Sequence, residues 1–124
     1  MRCALFLHYP ELAESEIDPD EFALAQEAFG DYAGALHEAG VLVSSDILFP
    51  AAQTTTVTVR DGGLNYYDGP YSSGKESISG VFVLEVDSLN DALVWAEKCP
   101  AARWGAIEVR PTAMTVSNGI WITP

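Results

Sequence analysis

Two amphipathic segments, each with its own start signal, divide this chain into an alternation of strands and helices. Asp18 can cap the first helix, Pro19 suits its first turn, and Gly40 can end it, so we predict a helix over residues 19–39. A second helix is predicted to follow Ser88, which can cap it. The core-facing side of the first helix is predicted to consist of Phe22, Ala25, Phe29, Ala33 and Leu36.

The remaining segments have the composition of β-strands. Residues 2–8 alternate so that Phe6 and His8 share one face of a strand, and Leu5 and Leu7 share the other. Further strands are predicted over residues 41–43, 81–86 and 106–110, with hairpins over residues 54–67 and around the turn at 117–119.

This order of elements predicts an α+β fold. Strand, helix, strand, strand, helix, strand is the ferredoxin-like split βαβ plan, here with an inserted β-hairpin and both helices on one sheet face. Because an uncovered sheet face is usually buried against a second copy, we predict a homodimer. One domain is predicted over residues 1–111, and residues 112–124 form a C-terminal β-hairpin extension that packs on the same domain or on the dimer interface.

The charge balance argues against several classes of partner. Eighteen acidic and 6 basic residues give a net charge of −12, and no Lys or Arg occurs between Cys3 and Val59. Such a chain repels phosphate backbones and anionic lipids, so we expect no nucleic-acid partner and no membrane partner. With no signal peptide and no stretch near the ~20 apolar residues of a membrane helix, a cytoplasmic location is expected.

No motif for a cofactor is present. Cys3 and Cys99 lack the spacing of a zinc site or disulfide framework, so we predict two buried thiols. The chain has no phosphate-binding glycine loop, no nucleophile elbow, no zinc-protease motif and no dinucleotide fingerprint. Neither a cofactor nor a metal is therefore expected, with a carboxylate-bound cation as the alternative.

The segment 68–76 has the densest concentration of polar and conformationally special residues. Gly69 permits unusual backbone angles and Pro70 fixes one, so Asp68 and Tyr71 can be held in a defined loop. Asp68 is a candidate catalytic base or ligand contact, and the alternative is a turn residue. Tyr71 can donate its hydroxyl to a ligand, although a ring that simply fills space is the simpler interpretation.

Other ionisable residues are candidates for the same site. Lys75 and Glu76 can place a cation and a carboxylate at a pocket mouth, or form an exposed ion pair or a cap. His8, at a strand end, is a candidate proton shuttle, and the alternative is a partly buried histidine with satisfied hydrogen bonds.

The predicted topology brings in strand residues as well. Arg110 shares a strand face with Glu108, where an anion clamp or an interfacial salt bridge can form. Asp46 is expected to reach the same cavity from the second strand. His37, near the end of the first helix, is expected to face solvent.

The segment from Asp68 to Pro111 closely resembles the YCII-related family, specifically its DGPF-type branch. The residues that carry the resemblance include Gly80, Val86-Asp87-Ser88-Leu89, Ala92-Leu93, Trp95-Ala96, Cys99-Pro100-Ala101-Ala102-Arg103 and Glu108-Val109-Arg110-Pro111. With the first strand and residues 40–43, the resemblance covers about residues 1–111. It implies a dimeric ferredoxin-like α+β barrel.

The resemblance also carries functional implications. Some relatives look like small lyases or dehalogenases that act on ring compounds with a His-Asp pair. Members of the DGPF-type branch also look like frequent genomic companions of bacterial extracytoplasmic-function sigma factors, which implies a regulatory or stress-related setting. This chain differs in having Tyr71 for the motif phenylalanine, Gly74 for the usual threonine, and no histidine early in the first helix. Two hypotheses follow: a homodimeric module that binds a small molecule or has a regulatory role, and a cofactor-independent lyase or isomerase-like enzyme in which Asp68 or His8 moves a proton.

Overall fold

The computed structural model describes residues 1–11, 16–72, 74 and 76–124. Its helices and strands, in chain order, are β1 (Arg2–Pro10), α1 (Pro19–Glu38), β2 (Leu42–Ile47), β3 (Thr55–Arg60), β4 (Gly63–Asp68), β5 (Glu76–Glu85), α2 (Leu89–Lys98), β6 (Ala106–Pro111), β7 (Thr115–Ser117) and β8 (Ile120–Ile122). Short 3-10 turns occupy Ala51–Gln53 and Pro100–Arg103.

The central sheet confirms the predicted α+β class. Its four strands lie in the order β2-β5-β1-β6, and every neighbouring pair is antiparallel. This order is that of the ferredoxin-like split βαβ plan. The β3–β4 and β7–β8 hairpins form two separate two-stranded sheets, so the described strands of one chain form an open sheet and no closed barrel.

The predicted caps begin both helices. The Asp18 side chain accepts a hydrogen bond from the backbone N–H of Asp20 at 3.0 Å, and Ser88 Oγ accepts one from the N–H of Asp91 at 3.2 Å. Gly40 has the predicted left-handed conformation, with φ of 74°. These signals were readable in the sequence because a cap depends on residues two or three positions apart.

The predicted core face of α1 is partly wrong. Phe22 is 51% exposed, whereas Leu36 is fully buried and Phe29 packs against the core. A helix of 20 residues is ~30 Å long, and only its second half reaches the sheet. Tyr32, which the periodicity missed, is buried: its ring packs edge-on against Phe82, and its hydroxyl donates to the Trp95 carbonyl at 2.8 Å.

One face of the sheet forms the core with both helices. We call it the covered face, and its fully buried or nearly buried strand residues are Cys3, Leu5, Leu7, Phe82 and Leu84. Cys99, after α2, is also buried, which confirms the predicted buried thiols. Burial raises the pKa of both thiols and of the Tyr32 hydroxyl.

Both predicted hairpins are present. The turn between β3 and β4 has positive φ at Asp61 and Gly62, 50° and 75°, as a two-residue type I′ turn requires. The β7–β8 hairpin is joined to the sheet near Arg2, whose carbonyl accepts from the Thr112 N–H at 2.8 Å and whose guanidinium lies 3.4 Å from Thr115 Oγ1. No helix in the described part of the chain is long and apolar enough to cross a membrane.

Candidate functional site

The second face of the central sheet carries most of the strand residues predicted for the site. We call it the open face, because α1 and α2 pack on the covered face. Strand registry and alternation assign to it Arg2, Ala4, Phe6 and His8 of β1, Val81, Val83 and Glu85 of β5, Ser44 and Asp46 of β2, and Glu108 and Arg110 of β6. Its centre is apolar, and its ionisable side chains lie at the edges and ends.

One row of residues that crosses the four strands shows this arrangement. Asp46 lies opposite Val81, Val81 opposite Phe6, and Phe6 opposite Glu108, so a single line crosses all four strands. With strands ~4.8 Å apart, Asp46 and Glu108 lie at opposite edges, with their backbones roughly 14 Å from each other. Arg110 lies in the next row, opposite Ala4. Asp46 and Arg110 therefore share a face but belong to different edges.

His8 and Glu108 are the predicted candidates that the structure brings into contact. His8 Nε2 lies 3.2 Å from Glu108 Oε1, and the two side chains are 24% and 54% exposed. They are diagonal neighbours, since Ala106 lies directly opposite His8. An ionised carboxylate only accepts hydrogen bonds, so Glu108 favours the imidazole tautomer with the proton on Nε2. The Nδ1 atom of a neutral His8 is then the ring nitrogen able to accept a proton.

The backbone at His8 is held from both sides. On the β5 side the register shifts between Leu7 and His8, which makes Ser79 the extra residue of a β-bulge. On the β6 side Gly105 approaches so closely that a Cβ there would overlap the His8 carbonyl oxygen and come within 2.8 Å of Tyr9 Cα. Bulges commonly re-aim a side chain beside a functional site. The alternation pattern of a single strand contains no signal for either contact.

Glu11 is a further residue at this end of the sheet that the sequence did not reveal. Its carboxylate oxygens accept hydrogen bonds from the Ala51 N–H at 2.8 and 3.0 Å, and Oε1 accepts from Ser77 Oγ at 2.9 Å. The contacts tie the end of β1 to the segment after β2 and to β5. Its partners are 40 and 66 positions away, which is why no local pattern identified it.

An aromatic group lies on the covered side of the same end. Trp104 packs edge-on against Tyr9 and Phe29, with ring centroids 6.2 and 5.6 Å apart. Burial raises the pKa of Tyr9, and the nearby negative charge of Glu11 adds to the effect. The Tyr9 hydroxyl is therefore protonated at neutral pH.

The DGPY loop, residues 68–71, is folded onto the base of the β3–β4 hairpin. Asp68 ends β4 opposite Thr55. Gly69 has φ of 104°, its N–H donates to the Thr54 carbonyl at 2.8 Å, and its carbonyl accepts from Thr56 Oγ1 at 2.7 Å. The unusual backbone angle expected of Gly69 is therefore observed.

The remaining described candidates form no described hydrogen bond or ion pair with His8, although Glu76, opposite Pro10, lies on the open face at the His8 end. Tyr71 is 71% exposed, with its hydroxyl 3.4 Å from an Arg60 nitrogen, so its ring does not fill space within the chain as expected. Glu76 begins β5 and is exposed, and His37 is exposed in the last turn of α1. Lys75 lies outside the described residues. Between His8 and Asp68, both of them described, no hydrogen bond or ion pair is formed.

The opposite end of the sheet contains a shallow depression of about 360 Å³. It is lined by Ala39, Gly40, Val41, Glu85, Val86, Asp87, Asp91, Val94 and Trp95. None of the predicted site residues that the structure describes lines it. Within the described ranges, no group of three or more His, Cys, Asp or Glu side chains is arranged to hold a metal ion.

Comparison with known proteins agrees with the fold and the resemblance. No curated protein matches the chain. The family model of the YCII-related domain matches residues 1–114, which is most of the 124 residues and includes the whole central sheet. The chain belongs to the YCII-related domain family.

Proposed function

We propose that this protein is a homodimeric module that binds a small molecule at the His8 end of the open face. The observation that carries the proposal is the His8–Glu108 contact of 3.2 Å beside an apolar sheet centre. A ligand at this position meets an oriented imidazole and the apolar side chains of Phe6 and Ile78, which both lie next to His8. Binding sites commonly combine a mainly apolar lining with a few placed polar groups.

The dimer half of the proposal rests on the composition of the open face. Ala4, Phe6, Val81 and Val83 form an apolar centre that neither helix covers, and each is only partly buried in the single chain. Uncovered apolar patches of this kind mark interaction surfaces. In a two-fold dimer the same patch serves on both subunits, so one self-complementary face is sufficient. Pairing of two open faces encloses the His8 end and excludes water from it.

The charge of the chain narrows the ligand class. A net charge of −12 disfavours polyanions such as nucleotides, and among the described residues the charged side chain in contact with His8 is the carboxylate of Glu108. A small neutral or cationic molecule with an apolar ring fits these properties best.

A second candidate function is favoured by the same contact. A histidine oriented by a carboxylate is the arrangement of a general base and its positioning group. In this alternative the protein is a cofactor-independent lyase or isomerase-like enzyme, and His8 removes a proton from the substrate. The contact with Glu108 favours His8 over Asp68 as the base, because Asp68 lies at the base of the hairpin.

Light scattering at micromolar concentration tests the dimer. We expect the mass of two chains for the wild type and of one chain for Phe6→Glu, because the substitution places a carboxylate in the centre of each open face. Leu93→Glu, at an exposed position on α2, is the control and is expected to remain dimeric. A wild-type monomer would overturn the dimer.

Ligand binding is tested by NMR with an isotope-labelled protein and a panel of small neutral and cationic ring compounds. We expect chemical-shift changes at His8 and at position 108, and we expect those at His8 to be smaller in Glu108→Gln. Recovery of the bound compound unchanged supports a binding module, and conversion that disappears in His8→Asn supports the enzyme. Shift changes confined to residues distant from β1 and β6 would contradict both.

A further inference from the structure

The β3–β4 hairpin carries an apolar surface that the described chain leaves uncovered. We call this hairpin the arm. Val57 lies opposite Tyr66 and Val59 opposite Leu64, so the four side chains share one face. They are 52%, 64%, 67% and 61% exposed, respectively. The other face of the arm is more polar, with Thr56 and Thr58 on β3 and Asn65 and Tyr67 opposite them on β4.

The arm has little support from the rest of the chain. In the described residues it packs mainly between its own two strands. Its described hydrogen bonds to neighbouring segments are at its base, around Thr54 and Gly69, with one more from Arg60 to the Tyr71 hydroxyl. A two-stranded hairpin in water is marginally stable without a covered apolar face. Its two edges also expose unpaired backbone groups, which proteins usually protect. A surface that covers Val57, Val59, Leu64 and Tyr66 is therefore expected.

We propose that the apolar face of the arm packs on a second copy of this chain. This inference rests on the proposed dimer, and the size of the open face supports it. Four strands ~4.8 Å apart and about six residues of ~3.3 Å each give a flat area on the order of 400 Å². Stable interfaces bury about 800 Å² on each partner. The arm, with four large apolar side chains already exposed, supplies the missing area.

Charge complementarity favours the same occupant. The charged residues of the arm are Arg60 and Asp61, which cancel and lie at its tip, and Asp68, which ends β4 at its base. The whole chain carries a net charge of −12, so two copies repel each other except where carboxylates are absent. The apolar face of the arm, from its tip to Tyr66, is such a surface, because its carboxylate, Asp68, lies at the base.

The arm also begins at the border of the proposed interface. β2 ends at Ile47, opposite Gly80, and β5 begins at Glu76, opposite Pro10. Both strands therefore leave the sheet at the end where His8 lies. When two open faces pair, each arm starts beside the partner and can extend along it.

Photo-crosslinking tests the contact directly. Tyr66 is replaced by the photoreactive amino acid benzoylphenylalanine in the full chain, and the control carries the same group at Leu24, which is 66% exposed on α1 compared with 64% for Tyr66. We expect a covalent dimer from position 66 at micromolar concentration and none from position 24. Equal crosslinking at both positions, or none at position 66 in a dimeric sample, would overturn the inference.

A conservative double variant tests the energetics. Val57→Thr with Val59→Thr keeps the shape and strand preference of both side chains but reduces their apolar surface. We expect the dimer dissociation constant to rise about tenfold or more, because two arms each lose two apolar contacts. Thr58→Val, on the polar face of the arm, is the control and should not weaken the dimer.

The two proposals fail in different ways. An unchanged dissociation constant in the double variant, with no crosslink, overturns the role of the arm and leaves the sheet-face dimer standing. A Phe6→Glu protein that stays dimeric, while the double variant dissociates, overturns the sheet-face dimer and supports the arm. A monomeric wild type overturns both.

Discussion

The two faces of the central sheet are built from alternate residues of the same strands and have opposite roles. On the covered face, Leu5, Leu7 and Leu84 are fully buried beneath two helices. On the open face, their neighbours Phe6 and Val83 are only partly buried, and ionisable groups surround them. The covered face stabilises the monomer, and the open face leaves apolar surface and an oriented histidine available for association.

The largest expected difference between the faces is in the free energy of unfolding. Leu5→Ala removes a fully buried side chain and is expected to cost about 2–5 kcal/mol, because a cavity remains in the core. Phe6→Ala, the next residue in the same strand, is expected to cost the monomer about 1 kcal/mol or less, since Phe6 has no helix above it. Urea denaturation measures the two losses at submicromolar protein concentration, where dimerisation contributes least. Equal losses would mean that the open face is already packed within the monomer.

Alkaline pH is expected to lower the stability of the protein through groups buried on the covered face. Burial raises the pKa of Cys3, Cys99 and Tyr32 above ordinary values of 9.0 for the thiols and 10.0 for tyrosine. Above those values the unfolded chain loses protons that the folded chain retains, so stability falls as pH rises. Below pH 9 the free energy of unfolding keeps its full contribution from these groups. Above its ordinary pKa, each buried group lowers the free energy of unfolding by at most about 1.4 kcal/mol per pH unit.

Urea denaturation at a series of pH values from neutral to strongly alkaline checks this expectation. The double variant Cys3→Ala with Cys99→Ala is the control, and its stability should fall less steeply just above pH 9, the ordinary thiol value. A flat profile in the wild type would show that these groups are not buried in solution.

Tyr32→Phe separates the hydroxyl from the ring on the covered side. The ring contact with Phe82 is kept, but the 2.8 Å hydrogen bond to the Trp95 carbonyl is lost, at an expected cost of about 1 kcal/mol at neutral pH. The variant should also lose stability less steeply above pH 10, because one titrating group is gone. Thermal and urea denaturation, at neutral and at alkaline pH, measure the loss of stability and the steepness of its alkaline fall. A neutral-pH loss without any alkaline change would contradict the assignment of the raised pKa to burial.

The smallest effect on stability is expected on the open face. Glu108→Gln removes the charge from a contact whose carboxylate is 54% exposed, so the free energy of unfolding should change by less than about 0.5 kcal/mol. Ligand-induced shifts at His8 are nevertheless expected to decrease, because an amide that both donates and accepts no longer selects one tautomer of the imidazole. Urea denaturation and NMR on the same sample compare the two effects. A large stability loss with unchanged ligand binding would make Glu108 a structural residue.

Much of the fold could be predicted from local patterns. Asp18 and Ser88 begin the helices as expected, and the alternation of β1 correctly separated Phe6 and His8 from Leu5 and Leu7. Other features depend on distant residues. The apolar run of β5 begins at Val81, but the strand begins at Glu76 because residues 76–78 pair with the end of β1.

The site was less predictable than the fold. The sequence indicated His8, Asp46, Glu108 and Arg110 as strand residues, but only the strand order determined that His8 contacts Glu108 and that Asp46 lies at the far edge. The DGPY loop was identified from its residue types, yet its place at the base of the arm follows from the pairing of β3 with β4. Contacts across strands depend on register, which residue types alone do not specify.

By itself the sequence determined the α+β class, the helix starts and the two faces of the strands, because each depends on residues close together in the chain. Only the tertiary structure decided the bulge at Ser79, the approach of Gly105 to His8 and the bonds of Glu11. These contacts join residues far apart in the chain, and they form only when the strands assemble in one register. The same reason separates the covered face, whose apolar residues indicate burial, from the open face, whose proposed function depends on which side chains the assembled strands bring together.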